Sequence, residues 1–153
     1  MNALETRIPP PLLMIVTGAV MWFVAGHTLV LHVSAPLRQG LAFALLAAAI
    51  FYTLLAVLLF RRHKTTINPH SIGKASKLVT SGPFSLSRNP MYTGMVLLLL
   101  AWTCYLASPW AVLGPIFFEL YILRFQIWPE ERAMHAKFGA DYVAYAGKVR
   151  RWL

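Results

Sequence analysis

Long stretches without a charged residue dominate this sequence; they are 8–37, 39–60 and 89–118. A membrane-spanning helix needs about 20 consecutive apolar residues. The first two stretches are each long enough for one such helix. The third contains Ser108-Pro109 and continues apolar to Trp128, which is typical of two helices joined by a tight turn. The predicted spans are about 12–33, 41–60, 90–107 and 110–128.

The composition supports this interpretation and defines the fold class. Of the 153 residues, 58% are hydrophobic and 12% are charged, whereas soluble domains carry about 25% charged residues. No internal repeat or linker divides the chain, so we expect one domain over 1–153. The segment Glu130–Ala146 has helical character. The sequence therefore predicts an all-α integral membrane protein with about four transmembrane helices and a C-terminal cytoplasmic or interfacial helix.

Positive charge is unevenly distributed along the chain, whose formal net charge is +9. The loop 61–88 holds six basic residues and no acid, and the tail after Pro129 holds five basic residues against three acids. Basic loops stay on the cytoplasmic side of a membrane. We therefore expect a multi-pass protein with both termini and this loop in the cytoplasm. Anionic membrane lipids are the partners that such charge favours, and we expect no nucleic-acid binding.

The step Asn89-Pro90 marks the start of the third span. Asparagine is a preferred N-cap residue and proline is favoured at the first helical position, so these two residues have a sufficient structural explanation. A functional explanation is also open. The free N–H groups of a helix N-terminus bind anions, and Arg88 lies beside them. This arrangement at the mouth of a membrane bundle could hold a carboxylate or a phosphate.

A pair of carboxylates, Glu130 and Glu131, follows the fourth span. Acids in the first turn of a helix stabilise it, by about 0.3–1 kcal/mol each, which is again a structural explanation. The alternative is that they bind an ammonium or a sulfonium group. An anion site and a cation site side by side would suit a zwitterion such as an amino-acid moiety.

Other polar residues within the spans carry less information. Ionisable residues inside a bilayer usually face the bundle interior, which applies to Glu119 and Arg124; their spacing does not predict a salt bridge. His27 and His32 are interpreted as structural histidines. The single cysteine, Cys104, excludes an intrachain disulfide and a cysteine-rich metal site, so no metal is predicted. No soluble nucleotide-binding motif is present.

Segments in the second half of the chain, taken together and in order, resemble the isoprenylcysteine carboxyl methyltransferase family, which is related to the membrane phospholipid methyltransferases. They are Leu78–Phe84, Arg88–Gly94, Glu130–Arg132 and Phe138–Tyr145. The resemblance extends over about 74–152, and the first two spans match only in being apolar. It implies a membrane methyltransferase that uses S-adenosylmethionine as its cofactor.

The resemblance also implies roles for residues in two segments, 76–92 and 126–145. The residues that would line the cofactor are Ser76, Lys77, Leu78, Val79 and Phe84, the last at a position that is usually tyrosine. The residues that would hold its amino-acid end are Asn89, Pro90, Met91 and Tyr92. Glu130 would meet the cofactor ammonium.

The chain departs from this family's pattern at two positions. Asn89 stands where the family often has histidine, and asparagine can still donate a hydrogen bond. Gln126 stands where the eukaryotic enzymes have the arginine that holds the substrate carboxylate. Gln126 and Arg124 are therefore candidate substrate-binding residues, and Arg88 and Arg124 are candidates for orienting an acceptor. Because glutamine cannot neutralise an anion, we expect poor activity on prenylcysteine carboxylates.

The methyl acceptor stays open at this point. A lipophilic small molecule from the bilayer could offer a carboxylate, a thiol or a lipid amine. Transfer from a sulfonium to an ionised nucleophile needs alignment more than a general base, so no general base is nominated. The alternative function is a non-catalytic membrane scaffold or a small transporter-like protein.

Overall fold

The computed structural model describes residues 5–62 and 77–153, and this part of the chain is helical with no strand. Its α-helices are α1 (Pro10–Gly26), α2 (Ala35–Arg62), α3 (Pro90–Leu106), α4 (Leu113–Ile122) and α5 (Trp128–Lys148). Two 3-10 turns lie at Gly82–Ser85 and Pro109–Val112, and a π-helical segment at Leu123–Ile127 joins α4 to α5.

The first helix is shorter than the predicted span 12–33, because α1 ends at Gly26. The His27 N–H bonds back to the Val24 carbonyl and closes the last turn. Beyond it the chain is extended, and the Leu31 N–H donates to the Ala107 carbonyl at 2.7 Å. Apolar residues after Gly26 therefore satisfy their backbone against the end of α3, a partner that hydropathy alone does not reveal.

At the second and third predicted spans, the helix bounds lie closer to the sequence prediction. Helix α2 extends beyond the predicted 41–60 at both ends, and α3 coincides with the predicted 90–107 to within one residue. The predicted span 110–128 is divided between a 3-10 turn, α4 and the π segment. The C-terminal helix was expected as a separate element, but α5 continues directly from the π segment, and it is kinked at Gly139, whose φ is +51°.

Helices α2 and α3 make the most extensive contact in the described structure. Gly94 of α3 is the reason that they approach closely, since a Cβ at this position would overlap the Thr53 hydroxyl of α2. This agrees with the packing role that small residues have between membrane helices. A separate buried cluster joins α1, α3 and α4 and includes Met21, Leu99 and Phe118.

The outer surface of the helices is strongly apolar. Large side chains such as Trp22 and Phe23 of α1 and Phe43 and Phe51 of α2 are at least 60% exposed. Two continuous helical stretches of the described chain are long and apolar enough to cross a membrane. They are 35–59, in α2, and 109–148, which runs from the second 3-10 turn through α4 and the π segment to the end of α5. Helices α1 and α3 are shorter apolar helices. A surface of this kind suits hydrocarbon better than water.

Candidate functional site

The connection that leads into α3 packs tightly against α2. Gly82 has a φ of +60°, and a Cβ there would overlap the Leu59 side chain. The turn that begins at Gly82 buries Phe84, which packs with Val79 and with Ala56 of α2. Part of the segment expected to line a cofactor is therefore fixed on the bundle before α3 begins.

Asn89 occupies the N-cap position of α3, and Pro90 is the first helical residue, as the sequence predicted. The Asn89 side chain does not cap the helix, however. Its amide donates to the Arg151 carbonyl at 3.1 Å. The buried Ser87 hydroxyl accepts the Asn89 N–H and donates to the same carbonyl at 2.9 Å. These polar groups therefore attach the C-terminal tail to the start of α3.

Arg88 extends this attachment and is only 12% exposed at its side chain. Its guanidinium donates to the Ala146 carbonyl at 3.0 Å and to the Glu131 carboxylate at 2.7 Å. Arg151 binds both oxygens of that carboxylate at 2.9–3.1 Å. The hydrogen bond with Glu131 raises the pKa of Arg151 above its usual value. Glu131 is thus neutralised by two guanidinium groups.

Two tyrosine hydroxyls, from α5 and α2, donate hydrogen bonds to the 3-10 turn that precedes α3. Tyr145 of α5 donates to the Phe84 carbonyl at 2.6 Å, and Tyr52 of α2 donates to the Pro83 carbonyl at 3.1 Å. Sequence reasoning assigned no role to these tyrosines or to Ser87. Their partners are backbone carbonyls, which have no sequence signature. The described residues of the two segments that the resemblance paired, 77–92 and 126–145, do meet in space.

Glu130 differs sharply from its neighbour Glu131. The buried Tyr92 hydroxyl of α3 donates to its carboxylate at 2.5 Å, and no cation of the described chain pairs with it. Glu130 lies beyond the predicted span 110–128 and remains partly accessible. Burial raises the pKa of its carboxyl to about 7; the Tyr92 hydrogen bond opposes that rise and the Glu131 charge adds to it. A cationic ligand would stabilise the ionised form.

The predicted substrate-binding residues, Arg124 and Gln126, both lie in the π segment before α5. Pro129 has no N–H for the Phe125 carbonyl one turn earlier, and such a proline distorts a helix. The Thr6 N–H occupies that carbonyl at 2.9 Å. Gln126 is fully buried, and its amide donates to the Ile8 carbonyl at 2.9 Å. Its side-chain oxygen has no partner within the described ranges.

Arg124, the other predicted substrate residue, is 38% exposed at its side chain and lies 3.4 Å from the Glu5 carboxylate. Its guanidinium also lies over the rings of Phe125 and Trp128. Glu5 in turn pairs with Arg132 at 2.7 Å. Burial works to raise the pKa of Glu5, but the hydrogen bond and charge of Arg132 and the hydrogen bond from Arg124 lower it, and the net pKa is lowered.

The remaining predicted cofactor residues are spread over the same region. Ser76 lies outside the described residues. Lys77 is exposed, Leu78 is partly buried, and Met91 packs against the cluster that holds Val79 and Phe84. The structure thus brings Tyr92 and Glu130 into direct contact, whereas Arg88 is directed to Glu131.

Comparison with known proteins identifies the protein family of this chain. Residues 37–141 match the family described as phospholipid methyltransferase. The chain belongs to the phospholipid methyltransferase family. This family belongs to the group that the sequence motifs resembled, and it is a family of methyltransferases. Both segments of the candidate site begin inside the matched stretch.

This phospholipid methyltransferase family member is also similar to an uncharacterized protein of Haemophilus influenzae. The two are 51% identical over 63 residues. Those residues are 41% of this chain and the whole of the relative. No solved structure matches the chain. The family, the apolar helices and their exposed side chains agree in indicating a membrane protein.

Proposed function

We propose that this protein is an S-adenosylmethionine-dependent membrane methyltransferase that acts on a lipophilic small molecule. The observation that carries the proposal is the state of the two adjacent carboxylates. Glu131 is bound by two guanidinium groups, while Glu130 accepts only the Tyr92 hydroxyl and has no cationic partner in the described structure. A partly accessible carboxylate of this kind fits the ammonium of an amino-acid ligand.

The residues that would hold the cofactor are those around Glu130 and the start of α3. Glu130, oriented by Tyr92, would bind the ammonium. The first turn of α3 would receive the carboxylate, since helix N-termini favour anions. The cluster of Val79, Phe84 and Met91 would border the less polar part. When bound, S-adenosylmethionine supplies a methyl group on a positively charged sulfur. The chain's contribution is to bind, to orient and to exclude water.

An open apolar groove supports a lipophilic acceptor. It has a volume of about 540 Å³ and is lined by Met14, Gly18, Ala19, Trp22, Leu98, Leu99 and Trp102. Leu99 is seven residues beyond Tyr92, roughly 10 Å along α3. An acyl or prenyl chain in this groove would therefore reach from the bilayer towards the start of α3, where Tyr92 contacts the Glu130 carboxylate.

The acceptor group itself stays a proposal among a carboxylate, a thiol and a lipid amine. Arg88 and Arg124 are proposed to orient an anionic acceptor, with Gln126 beside it. Each arginine already has a carboxylate partner, so an anionic acceptor would have to compete with that carboxylate. Incubation of the protein with labelled cofactor and a lipid extract, followed by separation of the labelled products, would identify the acceptor class.

We further propose four membrane spans, formed by α1, α2, α3 and α4 with its π segment, and a cytoplasmic location for both termini. Basic residues concentrate in 61–88 and after Pro129, and this distribution supports a cytoplasmic location for the candidate site. A cofactor from the cytoplasm and an acceptor from the bilayer would then enter from different directions.

The direct test is calorimetric titration of the detergent-solubilised protein with S-adenosylmethionine. Saturable binding that Glu130→Gln weakens, and that Asp141→Asn on the exposed face of α5 leaves unchanged, would support the proposal. Both substitutions convert a carboxylate to an amide, so they form a matched pair. No binding to the wild-type protein would favour the scaffold or transporter alternative.

A further inference from the structure

Residues 5–8, which we call the N-terminal clasp, lie against the distorted region of the long C-terminal helix. That region comprises the π segment and Pro129. The clasp contacts it through backbone, amide and charged groups, although the contacting residues are 118–127 positions apart in the sequence. None of the clasp belongs to the stretch 37–141 that matches the family.

The first contact compensates the missing N–H of Pro129. The Thr6 N–H donates to the Phe125 carbonyl at 2.9 Å, and that carbonyl is the acceptor a proline at 129 leaves free. Thr6 has a φ of +58°. A β-branched residue rarely adopts this conformation, and strain of this kind persists only where the surroundings hold it in place.

The second contact bridges the two sides of the distortion. The Glu5 carboxylate, only 7% exposed, pairs with Arg124 before Pro129 and with Arg132 after it. One anion held between two cations on either side of Pro129 limits how far the π segment and α5 can bend or rotate relative to each other. The Arg132 contact, at 2.7 Å, is the shorter of the two.

The third contact joins the clasp to the interior. The fully buried Gln126 side chain donates to the Ile8 carbonyl at 2.9 Å. A buried amide group without a partner is costly, by about 1–3 kcal/mol, so the bond from Gln126 favours one placement of the chain before α1. All three contacts therefore attach the clasp to the helical segment immediately before and after Glu130.

We propose that the N-terminal clasp is a positioning element: it fixes the helix geometry at Pro129 so that the Glu130 carboxylate faces Tyr92. The inference rests on the proposed function for the role of Glu130 in binding. Its geometric part is independent of any ligand. Glu5 and Thr6 touch neither Tyr92 nor Glu130 by any hydrogen bond in the described residues, so they act through the helix.

The geometric part is tested by a distance measurement across the break. Spin labels are placed by Leu120→Cys and Ala136→Cys, both at exposed positions, after Cys104→Ser removes the native thiol. Double electron–electron resonance should give one narrow distance in the otherwise native chain. With Glu5→Gln the distribution should broaden or shift, because the bridge between the two cations is lost.

Two further variants of the clasp sharpen this measurement. Thr6→Gly keeps the N–H and adopts a positive φ without strain, so it should preserve the narrow distribution. Arg7→Gln changes a charge on an exposed residue of the same segment and should also leave it unchanged. Glu5→Gln and native distributions that superimpose would overturn the inference.

The functional part is tested by titrating the same variants with S-adenosylhomocysteine in detergent, below their melting temperatures. Glu5→Gln should weaken binding roughly tenfold, while Thr6→Gly and Arg7→Gln bind as the native chain does. Equal affinity in Glu5→Gln would refute the link to Glu130. If the native chain does not bind the ligand at all, the proposed function fails, and the distance measurement still decides whether the clasp fixes the break.

Discussion

Replacement of Glu130 by glutamine gives the sharpest test of the candidate site. The substitution keeps the size of the side chain and an oxygen that can accept the Tyr92 hydroxyl, so the fold should survive. It removes the charge that we propose to meet the cofactor ammonium. A charge-assisted hydrogen bond contributes about 1.5–3 kcal/mol, which corresponds to a factor of about 10–150 in affinity.

The raised pKa of Glu130 reduces that factor in a predictable way. Because the carboxyl pKa is raised to about 7, protonation of Glu130 competes with the binding of a cation near neutral pH. The affinity should rise as the pH rises through this pKa, because only the ionised carboxylate attracts the ammonium. Between about pH 6 and pH 7 the ionised fraction, and hence the affinity, should increase roughly fivefold.

The assay is calorimetric titration with S-adenosylhomocysteine at several pH values within that interval, where the ligand ammonium stays charged. The native chain should show the rise, and Glu130→Gln should bind weakly with little dependence on pH. Asp141→Asn, which alters an exposed carboxylate of the same helix, should retain the native profile. A native affinity that does not change with pH, or a Glu130→Gln affinity equal to it, would contradict the role assigned to Glu130.

Two substitutions test the packing around the site, and reporter fusions test the membrane topology. Glu131→Gln should destabilise the protein by about 2 kcal/mol, since Arg88 and Arg151 lose their shared carboxylate; an unchanged melting temperature would contradict this. Gly94→Ala should cost about 1–3 kcal/mol through overlap with Thr53, read as a lower melting temperature, and full stability would show that the helices can separate. Reporter fusions at the two termini should both give a cytoplasmic signal; a C-terminal signal from the opposite side would refute the four-span topology.

Hydropathy predicted the helical class, and the preferences of asparagine and proline predicted the start of α3, because those features depend on local sequence. Asn89-Pro90 marks the beginning of α3 in the sequence and in the structure. The end of α1 was wrong by several residues, since an apolar segment after Gly26 can be helical or extended with equal hydropathy. The extended conformation after Gly26 is stabilised by the hydrogen bond from the Leu31 N–H to the Ala107 carbonyl, which is a contact between distant parts of the chain.

The N-cap interpretation of Asn89 was right in position and incomplete in chemistry. Asparagine at this position usually bonds to the backbone of its own helix, yet its amide reaches the Arg151 carbonyl. The sequence offered no sign of this, because a carbonyl acceptor exists at every residue. Arg88 illustrates the same limit: a basic residue beside a helix start suggested an anionic ligand, and its partner is Glu131, 43 residues later.

The two adjacent glutamates show where local sequence and tertiary structure combine. Neighbouring residues on a helix point in directions about 100° apart, so Glu130 and Glu131 cannot face the same partner. The structure directs Glu131 to two arginines and Glu130 to Tyr92. The Glu131 carboxylate, which ties the tail to α3, already has its charge compensated by two arginines and has little to offer a further cation. The adjacent carboxylate, held in place by a hydroxyl and lacking such a cation, is the one whose ionisation a cationic ligand would favour.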